Sequence, residues 1–232
     1  IISRVKDSGI PAVVFDDSDC HDFYNICINN SSPMEDVVRH VIQEHGATVL
    51  NFISGPLANP EALTRYNAFR KVMDENRLRI DPRRIYYGTF RQQDGKAAIE
   101  EFALSGMKLP DAFICANDAM ALTAVSALEK LGYRVPNDVI VTGFDCTYNA
   151  RNFTPSLTTV KRPLTMAGKT ACATLAEIFS GGNPEKIITL DAHAVFAESC
   201  GCKDSSSDDF IEYKKNTYNH LESINTNLSL LN

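Results

Sequence analysis

The sequence predicts an α/β protein in which short parallel strands alternate with amphipathic helices. Runs rich in β-branched and aromatic residues, bounded by Gly, Pro, Asn or Asp, predict strands at 12–15, 49–53, 84–87, 112–115 and 139–144. Helical patterns lie between them at 34–44, 60–76, 94–105 and 118–131. Because this alternation builds parallel βαβ units with right-handed crossovers, we expect helices on both faces of the sheet.

The alternation changes after Asp145. Residues 154–163 indicate an extended crossing segment, which is followed by a helix at 164–180 and short strands at 187–190 and 194–197. A chain that completes one βα array and then adds a single helix and two strands is consistent with a return to an earlier lobe.

The last thirty residues differ in kind from the rest. Residues 203–209 form a polar linker, and a helical pattern runs from 210 to 232. Its apolar residues step by three, four and three, which is heptad spacing, at Leu221, Ile224, Leu228 and Leu231. The pattern predicts a C-terminal amphipathic helix, which either forms a coiled coil or packs on the body as a single helix.

Composition excludes some classes of function. The formal charge of −6 argues against a broad nucleic-acid-binding face on this chain. Because no apolar run approaches the ~20 residues that span a bilayer, no membrane partner is expected. The seven cysteines are an odd number without a regular framework, which favours a reducing cytosol over secretion. A cytoplasmic location is therefore predicted.

Neither an enzyme nor a cofactor site is predicted. The sequence contains no Gly-x-Gly-x-x-Gly, no Walker A motif and no nucleophile elbow, and its five histidines are scattered. Cys200 and Cys202 flank one glycine, but no second Cys or His pair lies at usable spacing nearby, so no metal site is expected there.

Polar residues follow several of the predicted strands, where open parallel sheets bind ligands. Asn117 and Asp118 lie at a strand-to-helix junction, where one of them is expected to cap the helix and either can contact a ligand. Asp145 ends an apolar strand, so its carboxylate needs a partner, either a ligand donor or a turn that it caps. Arg65 offers a planar set of donors suited to paired hydroxyls or a carboxylate, although its pattern also fits a surface arginine.

A series of motifs in fixed order carries a family resemblance. They are Ile-Pro-Ala-Val-Val-Phe-Asp at 10–16, Ile-Ser-Gly-Pro-Leu at 53–57, Arg-Tyr-Asn-Ala-Phe at 65–69, Cys-Ala-Asn-Asp-Ala-Met-Ala-Leu at 115–122, Val-Pro-Asn-Asp-Val at 135–139, Gly-Phe-Asp at 143–145 and Phe-Thr-Pro-Ser-Leu-Thr-Thr at 153–159. In order and spacing the series resembles the lactose-repressor/galactose-repressor (LacI/GalR) family of sugar- and purine-sensing regulators. The segment 149–155 is most similar to the purine-repressor branch.

The resemblance implies a periplasmic-binding-protein-like fold of two Rossmann-like lobes with parallel sheets, crossed three times by the chain. Residues 1–29 with 163–191 are expected in the first lobe, and 30–162 with 192–202 in the second. The usual opening strands of the first lobe and the DNA-reading headpiece do not precede these motifs. We therefore expect a fragment of a longer protein, with an incomplete first lobe and half of the ligand cleft elsewhere.

The resemblance also implies roles for particular residues. Arg65 is expected to reach the ligand, and Phe90 to stack on it or to belong to the core. Asn59 and Glu61 occupy a loop that varies with the effector. Asp16 and Asn29 lie near the cleft and the first crossing. The predicted ligand-binding set is Arg65, Asp145, Asn117, Phe90, Asp118, Asn59, Glu61, Asp16 and Asn29.

The sequence thus predicts a non-enzymatic sensor domain that binds a sugar or a purine and forms a homodimer. One form is a LacI-type regulator that reads DNA through a headpiece absent from this chain. The other is a sensor joined by the C-terminal helix to a diguanylate cyclase or a kinase. A solute-binding protein of a transporter shares the fold and is the less favoured alternative, because the cysteines and the repressor-type motifs argue against it.

Overall fold

The computed structural model describes residues 2–16 and 22–203. The helices are α1 (Ile2–Asp7), α2 (Ser32–Gln43), α3 (Pro60–Glu75), α4 (Gln92–Leu104), α5 (Asp118–Lys130), α6 (Tyr148–Arg151) and α7 (Leu164–Phe179). The strands are β1 (Val13–Phe15), β2 (Tyr24–Ile28), β3 (Leu50–Ser54), β4 (Ile85–Tyr87), β5 (Ala112–Cys115), β6 (Ile140–Thr142), β7 (Thr159–Lys161), β8 (Ile187–Leu190) and β9 (His193–Val195). The predicted C-terminal helix lies outside the described residues.

A four-stranded parallel sheet in the order β4-β3-β5-β6 forms the larger half of the molecule. Every residue of β3 and β5 is buried. Strand β5 accordingly is a continuous apolar run in the sequence, whereas β3 also buries the polar side chains of Asn51 and Ser54. Helix α2 packs against α3, and α4 packs against α5. The predicted α/β class with parallel sheets is confirmed.

The contact between α4 and α5 depends on one glycine. A Cβ atom at Gly95 would overlap the carbonyl oxygen of Met120, so no larger residue fits without moving the backbone. Asn117 begins α5 by accepting a hydrogen bond from the amide of Met120 at 3.0 Å. The two contacts fix the start of α5 at the carboxyl edge of the sheet.

A second parallel sheet in the order β1-β2-β8 forms the smaller half. Its own core contains Ile26, Ala167 and Ala171, so α7 covers one face. Strand β2 was not among the predicted strands. It lies between β1 and β8 with Asn25 buried inside it, and its sequence resembles that of the predicted strand β3, which also contains a buried asparagine, Asn51.

Three crossings connect the two sheets, and they run side by side. The amide of Asn29, after β2, donates to the carbonyl of Leu190 at the end of β8 at 2.9 Å. Strands β7 and β9, beside the second and third crossings, pair antiparallel. The division into two lobes, with boundaries at the crossings, stays a prediction. No helix within residues 2–16 and 22–203 combines the length and hydropathy required to cross a bilayer.

Candidate functional site

Arg65 lies at the centre of the carboxyl edge of the larger sheet. The Asn59 side chain caps α3 by accepting from the amides of Glu61 and Ala62, at 2.9 and 3.2 Å. This start places Glu61 one helical turn before Arg65 on the same face. Arg65 is only 1% exposed, so the alternative of a surface arginine is wrong. A guanidinium this deeply buried requires partners for its N–H groups.

Four of the five N–H groups of Arg65 have acceptors inside the protein. Nε and Nη2 both donate to Oδ1 of Asn30, at 2.9 and 2.7 Å. Nη1 donates to the carbonyl of Ala116 at 2.7 Å, and Nη2 also donates to Oε2 of Glu61 at 3.1 Å. Nη1 lies 4.0 Å from Oδ1 of Asp145, which leaves its second N–H without an acceptor within hydrogen-bond distance.

A second guanidinium, from Arg162 at the second crossing, completes a charged network. Its Nη2 donates to Oδ2 of Asp16 and to Oε1 of Glu61, both at 3.0 Å. Its Nη1 lies 3.6 Å from Oδ1 of Asp145. Asp16 follows β1 of the smaller sheet, whereas Glu61 and Asp145 belong to the larger half. Arg162 therefore links both halves of the molecule. We call these two arginines and three carboxylates the crossing network.

The crossing network contains two polar atoms whose bonding capacity is unused. Oδ1 of Asp145 and Nε of Arg162 are buried, and neither has a hydrogen-bond partner among the described residues. Burial raises the pKa of Asp145, while the positive charges of Arg65 and Arg162 lower it. A buried polar group without a partner costs about 1–3 kcal/mol, so these atoms favour a ligand that carries both a donor and an acceptor.

The backbone is strained around the same place. Asp16, Phe90, Asp145 and Cys146 have φ angles of 50°, 66°, 116° and 53°, in the region that favours glycine. Each such residue costs on the order of 1–3 kcal/mol and persists only where its surroundings hold it. The Nδ2 of Asn117 holds Phe90 by donating to its carbonyl at 2.9 Å. Strain of this kind concentrates at functional sites.

Phe90 combines a core contact with a position at the network. Its ring lies on the backbone of Gly55, where any Cβ atom would overlap it. The ring centroid of Phe90 is 5.7 Å from Cζ of Arg65, and the ring centroid of Phe144 is 3.8 Å from the same atom. Phe90 is half-buried, so part of its ring remains accessible.

Asn117 and Asp118 occupy different depths. Asn117 is the N-cap of α5, which confirms the capping role expected for one of the two residues. Asp118 is fully buried, and its oxygens accept from the hydroxyl of Thr159 at 2.6 Å and the amide of Thr147 at 2.7 Å. This arrangement suits a residue that positions the loop carrying Asp145. Ligand contacts by Asn117 and Asp118 stay predictions.

Asn29 and Asn59 lie at the edge of the site. Oδ1 of Asn29 accepts from the amides of Ser31 and Ser32 at the start of α2, and its Nδ2 lies 3.4 Å from Oδ1 of Asp191. Asn29 thus ties two crossings together. Both asparagines hold backbone in place, and their contact with a ligand stays a prediction.

Sequence reasoning missed two residues of the site. Asn30 binds the Arg65 guanidinium through one oxygen, and Arg162 bridges the two halves. Asn30 stands beside Asn29, which was singled out, and Arg162 is a charged residue at the end of the predicted crossing segment. A charged residue at a crossing between two lobes was the available signal for Arg162.

The structure also corrects the reason for expecting no metal at Cys200 and Cys202. No second pair lies near them in sequence, but folding brings His40 and His45 beside them. All four ligand atoms lie within 4.8 Å of one another. This cluster is separate from the crossing network and is considered below.

We predict that Arg65→Ala lowers the free energy of unfolding by about 3–5 kcal/mol, because it leaves Oδ1 of Asn30 and the carbonyl of Ala116 without their buried donor and removes one of the two positive charges beside Glu61 and Asp145. Urea denaturation measures the change. Arg70→Ala is the matched control: Arg70 is exposed on the same helix, with Cζ 5.7 Å from the ring centroid of Tyr66, and is expected to cost at most about 1 kcal/mol. Equal effects of the two substitutions would contradict the assignment of Arg65 as a structural centre.

We predict that Asp118 makes stability depend on pH. Burial raises the pKa of Asp118 to about 6 from an ordinary 3.8, although the hydrogen bonds from Thr159 and Thr147 lower it. Between these values the folded protein binds the proton more tightly than the unfolded chain, so the free energy of unfolding falls as pH rises. The advantage of the native protein over Asp118→Asn should therefore shrink by about 2 kcal/mol from about pH 4.5 to about pH 7.

Urea denaturation across this pH range tests the Asp118 prediction. Asp138→Asn is the control, because a hydrogen bond from Arg134 holds the pKa of Asp138 at about 2, below the range. The native advantage over that variant should stay constant over the same pH values. A native advantage over Asp118→Asn that is constant or grows with pH would show that the Asp118 carboxyl is not held protonated by burial.

Comparison with known proteins identifies the family. The model of the periplasmic binding protein-like domain matches residues 38–200. The HTH-type transcriptional repressor PurR of Haemophilus influenzae is 38% identical over 139 residues, which are 60% of this chain and 41% of that protein. PurR of Histophilus somni is 32% identical over 191 residues, which are 82% of this chain and 57% of that protein. The chain thus spans about half the length of these curated relatives.

A solved structure extends the comparison to three dimensions. The transcriptional regulator CelR, in complex with cellobiose, superposes with a TM-score of 0.76 and 26% identity, over 84% of this chain and 60% of that one. The matched domain covers the four-stranded sheet and the second and third crossings. The chain therefore belongs to the periplasmic binding protein-like domain family, and its fold is that of the effector-binding domains of LacI/GalR regulators.

Proposed function

We propose that this chain is the ligand-sensing part of a LacI-type regulator and that it binds a small polar molecule at the crossing network. The observation that carries the proposal is the pair of buried, unpartnered atoms, Oδ1 of Asp145 and Nε of Arg162. Nearly every other polar group of the network is satisfied inside the protein. A ligand that donates to Asp145 and accepts from Arg162 supplies what the folded chain leaves open.

The chemistry of the network selects a class of ligand. A carboxylate beside two guanidinium groups accepts hydroxyl or N–H donors, and the remaining N–H groups of Arg65 and Arg162 donate to ligand oxygens. The accessible part of the Phe90 ring offers a flat apolar surface for the C–H face of a sugar or the plane of a purine. A neutral, polyhydroxylated ring meets all three requirements, so a sugar is the first choice.

A purine is the second candidate, because the segment 149–155 resembles the purine-repressor branch and the curated relatives at 38% and 32% identity are named HTH-type transcriptional repressor PurR. CelR, whose structure contains cellobiose, supports the sugar. Asp145 serves either ligand, since it accepts from a hydroxyl and from a ring or exocyclic N–H alike. The choice between them depends on contacts such as those of Asn59 and Glu61, near the start of α3.

Transmission of the signal follows from the position of Arg162. The Arg162 side chain contacts Asp16 in the smaller half and Glu61 in the larger half. A ligand that binds Arg162 therefore changes the equilibrium between different arrangements of the two halves. A ligand shifts such an equilibrium by the difference of its affinities for the two arrangements. The output is either a DNA-binding headpiece or a catalytic domain joined through the predicted C-terminal helix, and the working form is a homodimer. No catalytic step is assigned to the network.

We predict that a compound from a panel of pentoses, hexoses, disaccharides and purines stabilises the protein, by about 2.7 kcal/mol at 100 times its dissociation constant. Asp145→Asn keeps the shape of the side chain but removes the negative charge. It should weaken binding of that compound by about 10–100-fold, because a hydrogen bond to a charged group contributes about 1.5–3 kcal/mol. Thermal unfolding identifies the compound, and titration calorimetry measures the affinity.

Asp138→Asn is the control for this experiment, because Asp138 is exposed, is paired with Arg134 and precedes β6, whereas Asp145 follows that strand at its carboxyl end. It should bind the compound with native affinity. If Asp145→Asn also binds with native affinity while remaining folded, the ligand does not contact Asp145 and the proposed site is wrong.

A further inference from the structure

Two imidazoles and two thiols lie close together beside the larger sheet, near the C-terminal end of the described residues. His40 lies in the last turn of α2, His45 follows that helix, and Cys200 and Cys202 lie at the end of the described chain. Together these four residues are called the His–Cys cluster. Pairs of residues this distant in sequence meet only through the fold: Cys200 and His40 are 160 positions apart.

Four of the six distances within the His–Cys cluster lie close to those of a tetrahedral metal site, and all six are at most 4.8 Å. The Nε2 atoms of His40 and His45 lie 3.1 Å apart. The sulfur of Cys202 lies 3.3 Å from Nε2 of His40 and 3.6 Å from Nε2 of His45, and that of Cys200 lies 3.7 Å from Nε2 of His40. A tetrahedron with metal–sulfur bonds of about 2.3 Å and metal–nitrogen bonds of about 2.0–2.1 Å has N···N near 3.3 Å and N···S near 3.5 Å.

Local structure holds each of the four side chains in place. Gly201 has a φ angle of 96°, in the left-handed region, and this turn brings the thiols on either side of it to the same point. The ring of His40 stacks on the ring of Phe196, with centroids 3.8 Å apart and an interplanar angle of 16°. These contacts preorganise the donors, which lowers the entropy that a metal must overcome on binding.

A residue that is not itself a candidate metal ligand forms a hydrogen bond with one of the thiols. The hydroxyl of the buried Thr158 donates to the sulfur of Cys200 at 3.0 Å. A hydrogen bond of this kind stabilises a thiolate and orients it toward a metal. The cluster therefore has both a complete set of ligands and a supporting donor.

We propose that the His–Cys cluster is a structural zinc site. Two thiolates and two neutral imidazoles in a tetrahedron are a typical Cys₂His₂ donor set for Zn²⁺, and hard cations such as Mg²⁺ and Ca²⁺ require oxygen ligands instead. All four positions are filled by the protein, so the site is structural rather than catalytic. On binding, Cys200 and Cys202 each lose their thiol proton to solvent, and two sulfur–zinc bonds form without any change of oxidation state.

The zinc ion would join the end of α2 to the last described turn of the chain. Residue 203 follows immediately, so the site fixes the point from which the C-terminal segment departs relative to the larger sheet. None of the four ligands belongs to the crossing network. The zinc proposal therefore stands or fails independently of the proposed ligand-sensing function.

The test uses the full 232-residue chain, reduced, stripped with a chelator and then titrated with Zn²⁺ alone. We expect one tightly bound zinc per chain by elemental analysis and a higher midpoint of thermal unfolding. Titration with Co²⁺ should give the visible absorption of a tetrahedral ion with thiolate ligands. This spectrum reports geometry directly and does not depend on stability.

Two variants and one control distinguish the ligands from other thiols. Cys202→Ser and His45→Gln each replace a half-buried ligand, and each should lower zinc affinity by more than about 100-fold, since loss of an outer-shell partner alone costs about 10–100-fold. Cys172→Ser removes an exposed thiol on α7 and should leave zinc affinity unchanged. Circular dichroism of each metal-free variant establishes that it is folded.

Three results would overturn the zinc proposal. The first is a reduced, folded native chain that takes up no zinc. The second is undiminished zinc binding by both Cys202→Ser and His45→Gln. The third is a cobalt complex without the absorption of tetrahedral thiolate coordination. A Cys200–Cys202 disulfide that forms readily in a chain with no zinc uptake would assign the pair to redox chemistry instead.

Discussion

The buried guanidinium of Arg65 is the constraint on which the rest of the site depends. A fixed positive charge at 1% exposure is stable only if its N–H groups are satisfied, and the partners come from three separate junctions. Asn30 follows the first crossing, Glu61 lies in the first turn of α3, and Ala116 ends the strand before α5. One side chain thus brings three loops of the carboxyl edge to a common point.

The second arginine extends this constraint across the molecule. Arg162 donates hydrogen bonds to the carboxylates of Asp16 and Glu61. The nearest guanidinium nitrogens of Arg162 and Arg65 lie 3.6 and 4.0 Å from Oδ1 of Asp145, too far for a direct hydrogen bond. The crossing network pairs most of its polar groups inside the protein, and Oδ1 of Asp145 and Nε of Arg162 are left with bonding capacity for a ligand. Binding and communication between the two halves then use the same side chains.

Local signals predicted much of this molecule. The apolar runs of β3 and β5, the cap at Asn117 and the order of the motifs are read from neighbouring residues, and each was found where the sequence placed it. Contacts between residues that are distant in sequence could not be predicted. The bond from Arg65 to Asn30 spans 35 positions, and the His–Cys cluster joins residues 160 apart, so only the tertiary fold reveals either. Strand β2 was missed although its sequence resembles that of β3, which was predicted and also contains a buried asparagine.

The most direct test of this account is a crystal structure of the chain with a compound that stabilises it. The account predicts that a ligand hydroxyl or N–H lies within about 2.5–3.2 Å of Oδ1 of Asp145, and that a ligand oxygen accepts from Arg162. A compound bound elsewhere, with Oδ1 of Asp145 and Nε of Arg162 still unpartnered, would contradict it.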